Sequence, residues 1–140
     1  MDIVSQIALE GEGRISFYAE DEQISGCIFH LPLKAIQLGD TLYPSNIHVD
    51  GVDFDQVAFD ELKDMDGKEV PMTTPDDDDD YRHGSHYAIA CHNPLDVIKM
   101  RFQIDEDHVN ATVWLRIYYN VHGLSPVSDL SLDCRLRLTD

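Results

Sequence analysis

Base is what this chain is short of. Against 27 Asp and Glu it carries only 10 Lys and Arg, so its 140 residues have a formal charge of −17. A deficit of that size excludes proteins that hold nucleic acid or an anionic membrane by bulk electrostatics. No apolar run approaches the ~20 residues that span a bilayer as a helix. Cysteine occurs three times, an odd number that excludes a complete disulfide framework. Enzyme signatures are missing as well. Ser85 stands beside His86 without a Gly-x-Ser-x-Gly elbow, and Gly11-Glu12-Gly13 lacks the third glycine and following helix of a nucleotide fingerprint. Carboxylates abound, but no pair stands in the opposed environments that acid–base work requires. The expectation is a non-enzymatic chain with no catalytic residue and no cofactor.

What is present is globular. Hydrophobic residues make up 43% and charged residues 26%, and the length suits a single domain over 1–140. Cys27, Cys91 and Cys134 stand among alternating apolar residues, where free thiols act as small buried hydrophobes. Together with the short apolar stretch between Asp2 and Glu10, which lacks the basic start of a signal peptide, they point to a cytoplasmic protein.

The charge is uneven. Residues 50–80 carry 13 acids and 2 bases, whereas residues 81–140 carry 7 acids and 6 bases. The run Asp76, Asp77, Asp78, Asp79, Asp80 is the one low-complexity tract.

Period-2 alternation is strongest in the last third. Ile98, Met100, Phe102 and Ile104 alternate with polar neighbours and with Val97; Val109 to Tyr119 and Leu130 to Leu138 repeat the pattern. Shorter stretches at 2–9, 14–20, 24–31, 46–49 and 86–91 also read as strands. Turn signals every 8–12 residues without βαβ spacing predict a mainly β fold, an antiparallel β-sandwich or meander-type barrel. One short helix is expected at about 54–66. There Phe54, Val57, Ala58, Leu62 and Met65 share a face, Asp53 and Gln56 resemble a capping box, Val52 and Val57 a staple, and Gly67 a stop. Phe59 lies off that face. Residues 68–85 are expected to form one long, flexible acidic loop.

Two surfaces are candidates for binding. Asp60, Glu61, Asp64 and Asp66, with Asp76 to Asp80, present closely spaced negative charge that would attract a basic protein and steer its approach. On the polar phase of the last three strands lie Lys99, Arg101, Trp114, Arg116, Tyr118, Arg135 and Arg137, a composition found at binding hot spots. The acidic loop folding back over this face is an internal alternative.

Metal sites fit less well. Asp64-Met65-Asp66-Gly67 resembles part of an EF-hand, but Leu62 and Thr73 occupy ligand positions. Acidic connections at 10–13, 63–85 and 105–108 would suit calcium if they met at one end of a sandwich. His83 and His86 near Asp80, with His92 beyond, lack the tight patterning of zinc sites. No metal ligand is therefore assigned.

The expected function is that of a protein-binding module of the immunity, antitoxin or inhibitor kind. It would occlude a basic partner such as a toxin, nuclease or nucleic-acid-binding protein. Direct nucleic-acid binding and membrane association are not expected. A metal-dependent β-sandwich module using the acidic loops is the alternative from another class, and a structural or self-associating domain is the third.

Overall fold

The computed structural model describes residues 3–73, 85–89, 91–119 and 127–139. Its strands are β1 (Gly13–Glu20), β2 (Gln23–Leu38), β3 (Thr41–Asp53), β4 (Glu69–Pro71), β5 (His86–Ile89), β6 (Cys91–Asp105), β7 (His108–Tyr118) and β8 (Val127–Leu138). The chain is mainly β and closes into a seven-strand mixed barrel. Successive strands run up and down, and every pair but one is antiparallel. An odd number of alternating strands brings the first and last together pointing the same way. The closing pair, β1 with β8, is accordingly parallel, and it spans only Gly13 to Ile15 against Leu136 to Leu138. This pair departs from the purely antiparallel sheet expected from the sequence.

That closure needs Gly13. A Cβ there would lie 2.6 Å from the His30 carbonyl oxygen and 2.6 Å from Leu136 Cδ2. The absent side chain thus lets two backbones approach at the seam.

β4 and β5 occupy a single position in the wall. Both run antiparallel to β6, β4 against Lys99 to Arg101 and β5 against Cys91 to Pro94. Met72 N donates to the Ile98 carbonyl and Leu95 N to the Ser85 carbonyl. Met72 and Ser85 therefore meet β6 within three residues of one another, about 10 Å along a strand. β6 is bulged at that level, between Val97 and Lys99. The expected loop over 68–85 is corrected at its start, since Glu69 to Pro71 are paired strand, whereas a strand begins at His86 as expected. Its middle, 74–84, with the five-Asp run, lies outside the described residues.

The helix expected at 54–66 does not form. Phe59 exchanges backbone hydrogen bonds with Ile24, its ring packs edge-on to Phe54, and Gln56 takes a left-handed φ of 60°. Only Leu62–Met65 make a 3-10 turn, with Asp64 accepting from the Glu61 amide. Asp53 bonds Tyr18 instead of capping a helix, and Val57 is exposed, so neither box nor staple is built. The apolar residues of this segment still go inside, and Met65 is fully buried. They cover the barrel end where β3 and β6 finish and β2, β4 and β7 begin.

Elsewhere, alternation places the core. Phe29, Leu31, Ile47, Val49, Met100, Phe102, Val113, Leu115 and Leu136 point inward. The β6 bulge shifts the phase, so Leu95 and Val97 are buried before it and Met100 and Phe102 after it. This corrects the outward placement of Val97, because one inserted residue swaps the faces. The strand expected at 2–9 does not form over the described residues 3–9. Val4–Gln6 make a 3-10 turn, Ile3 and Ile7 are buried, and Leu9 bridges Leu33. Cys27 and Cys134 are buried, and desolvation pushes the Cys134 thiol up to about 12. Cys91 is exposed, because it begins β6 where the hairpin turns.

Candidate functional site

Three surfaces carry the chemistry of this barrel. The first is its acidic end. Glu20 to Glu22 join β1 to β2, Asp53 to Glu69 join β3 to β4, and Asp105 to Asp107 join β6 to β7. These three connections hold 13 carboxylates and two lysines, Lys63 and Lys68. All thirteen acids are exposed. Strand alternation explains the gathering, since each connection lies at the same end.

Several of these groups have local work. Asp60 accepts from Gln23 Nε2 at 3.0 Å, Glu61 pairs with Lys63 at 2.9 Å, and Asp66 accepts from the Ile104 amide at 2.8 Å. Glu20, Asp21, Glu22, Asp55 and Glu106 make no side-chain hydrogen bond or ion pair among the described residues. Asp21, Glu22 and Glu106 also hold left-handed φ values of 52°, 66° and 55°, a conformation acidic side chains adopt in tight turns at some cost. The structure thus joins Asp60, Glu61, Asp64 and Asp66 to the 20–22 tip, which the sequence reading left out, and to the 105–107 tip, which it grouped with 63–85 only for calcium. The tract Asp76 to Asp80 is outside the described residues, but its anchors, Thr73 and Ser85, lie in the wall between β3 and β6.

The second surface is the outer face of β6, β7 and β8, which does bring together Lys99, Arg101, Trp114, Arg116, Tyr118, Arg135 and Arg137. The Lys99 ammonium sits 4.6 Å from the Trp114 ring centre and 3.2 Å from Glu69. Arg116 grips Asp129 on the neighbouring strand through two hydrogen bonds, 2.7 and 3.1 Å. That pairing holds the Asp129 carboxyl below its usual range and keeps the guanidinium protonated. Tyr118 donates to Asp96 at 2.9 Å, and Arg135 reaches Asp105 at 3.1 Å and Asn110 at 3.0 Å. Arg101 contacts Thr112, whose hydroxyl donates to Asp133. Carboxylates from β4, β6 and β8 thus neutralise most of the cations within the sheet itself.

Glu12 ties the seam in the same way. Its two oxygens reach Arg137 Nε at 2.9 Å and His108 Nε2 at 2.7 Å, and both partners hold its carboxyl below the usual range. Asp107, at 2.7 Å, meets the other ring nitrogen of His108.

The third surface escapes a linear reading. His30, His48 and His86 are directly opposite one another on β2, β3 and β5. Their ring centres are 5.9 and 5.8 Å apart, and His92 stacks on His86 at 4.0 Å and 16°. The sequence pairs His86 with His92 on one strand face but cannot place His30 and His48 beside them. Their only linear signal is that both sit on the polar phase of their strands. Stacked rings do not converge their nitrogens. Among the described residues no group of three or more His, Cys, Asp or Glu side chains could hold a metal ion. His83, near Asp80 in sequence, lies outside the described residues.

No family model, curated protein or solved structure matches this chain.

Proposed function

We propose that this barrel is a non-enzymatic protein-binding module whose acidic end receives a basic protein partner and occludes that partner's working surface, in the manner of an immunity protein or inhibitor. One observation supports this reading above the rest: thirteen exposed carboxylates against two lysines on the connections at one barrel end. A fixed array of like charges raises the encounter rate with a basic surface and repels acidic ones. The left-handed turn residues hold part of that array on short hairpins, which reduces the entropy lost on docking. The five-Asp run, between Thr73 and Ser85 in sequence, adds five further carboxylates to the chain. The Arg/Trp face is the weaker docking surface, because neighbouring strands already supply its counter-charges.

The test is association with an immobilised small basic nuclease, followed across increasing salt. The association rate falls with salt. It also falls at least about tenfold when Asp21, Glu22, Glu106 and Asp107 become Asn or Gln. Equal rates for wild type and that variant at low salt would overturn the reading.

A further inference from the structure

The histidine row is part of a longer line of basic side chains. Reading directly opposed positions strand by strand gives His108 on β7, Arg137 on β8, Arg14 on β1, His30 on β2, His48 on β3 and His86 on β5. Six consecutive strands place a basic residue on one cross-strand line, in a chain with almost three acids for every Lys or Arg. Like charges directly opposite one another destabilise a sheet, so such a belt needs counter-charge at its arginines and wherever its imidazoles are protonated.

Carboxylates meet the belt at its flanks. Glu12 binds His108 and Arg137, Asp107 binds His108, and Asp50 binds His48. Among the described residues, Arg14 and His30 meet none. Arg14 is the one arginine among the described residues that makes no side-chain hydrogen bond or ion pair. The groups that influence His30 there are Arg14, His48, His86 and Asn46. Burial first, and then Arg14, holds the His30 imidazole below its usual titration range.

A groove of about 210 Å³ lies over this gap, lined on its polar side by Arg14, Ser16, His30, His48 and Thr139. Ile28, 39% exposed, adds an apolar flank. The volume is below the ~300–1,000 Å³ of drug-sized ligand pockets and suits a small ligand. Arg supplies a planar fork that matches phosphate oxygens, and imidazoles donate when protonated.

We infer that the groove over Arg14, His30 and His48 binds a small phosphate-bearing anion. The anion completes the belt at Arg14 and His30, where the described residues provide no carboxylate. Binding draws a proton onto His30, because the added negative charge reverses the influence of Arg14. His86 and His92 on one side, and Arg137 with Glu12 on the other, set the surrounding field, and Asp50 already faces His48. The binding is therefore strongest below the ordinary histidine range.

The experiment is titration of the intact chain with inorganic phosphate and with glycerol phosphate, at constant ionic strength, near pH 6 and pH 8. Imidazole C–H resonances report the site, and acetate serves as the carboxylate arm. Saturable shifts of His30 and His48 are expected, tighter at the lower pH. R14Q weakens the affinity about tenfold or more, and R14K less. R116Q, on the opposite surface, leaves it unchanged, and melting curves verify that every variant is folded. The inference is overturned if phosphate gives no saturable shift, if acetate binds as well as phosphate, or if R14Q binds phosphate like wild type.

Discussion

On the wall built by β6, β7 and β8, cations meet carboxylates. Lys99 has Glu69, Arg116 has Asp129 and Arg135 has Asp105. On the wall built by β1, β2, β3 and β5, basic side chains meet one another, as Arg14, His30, His48 and His86 stand in register. Both walls belong to one strongly acidic chain. What separates them is cross-strand placement: opposite signs cancel locally on the first, whereas on the second a run of basic residue types leaves Arg14 and His30 without a carboxylate among the described residues. Net charge says which partners a whole protein attracts, and strand register says where the exception sits.

Three perturbations would break or sharpen this contrast. The largest effect is expected for Gly13→Val. Its side chain would collide with the His30 carbonyl and Leu136, opening the seam where Arg14 faces Arg137. A stability loss of about 2–4 kcal/mol is expected by urea unfolding, and an undiminished midpoint would mean the seam does not need the glycine.

A smaller, directional effect concerns His30. Its folded pKa lies below the unfolded value, chiefly through burial and next through Arg14. Folding therefore favours the neutral ring. This contribution is complete above the ordinary histidine pKa of about 6.5 and is lost as pH falls through the folded value. Arg14→Gln should move the His30 titration upward by NMR without fully restoring it, since the burial remains. An unchanged midpoint would show that Arg14 does not act on that ring.

The smallest effect belongs to the self-neutralised wall. Arg116→Gln with Asp129→Asn should leave the melting temperature within measurement scatter at moderate salt, because exposed pairs contribute little. A clear loss would mean that this fork organises β7 against β8.

Much of the barrel was legible in its alternation. Val109 to Tyr119 and Leu130 to Leu138 alternate along the chain as they do in β7 and β8, because a half-buried strand writes its two faces directly into sequence. Phe54 to Met65 misled for a definable reason. Residues that cover a barrel end need only point inward, and their spacing imitates a helical face without helical hydrogen bonds. Glu69-Val70-Pro71 was hidden by its brevity and its proline, which survives because the Pro71 carbonyl accepts from Asp55 while the Met72 amide reaches Ile98. The acids of Asp60 to Asp66 were visible as a cluster and Glu106 was grouped with them for calcium, but Asp21 and Glu22 joined them only once the topology brought the hairpins to one end. The basic belt was the least legible. It depends on registers set independently by several strand pairings, and no local window contains that information.

The split wall strand carries a further consequence. β4 and β5 are each held by β6, and neither pairs with the other. Covalent continuity between them is therefore not what keeps the barrel closed. A chain cut between Thr73 and Ser85 would yield two pieces of four strands each, which in the intact fold are joined by the β1–β8, β3–β5 and β4–β6 pairings. The acidic run lies at the natural place to splice in a reporter or divide the molecule.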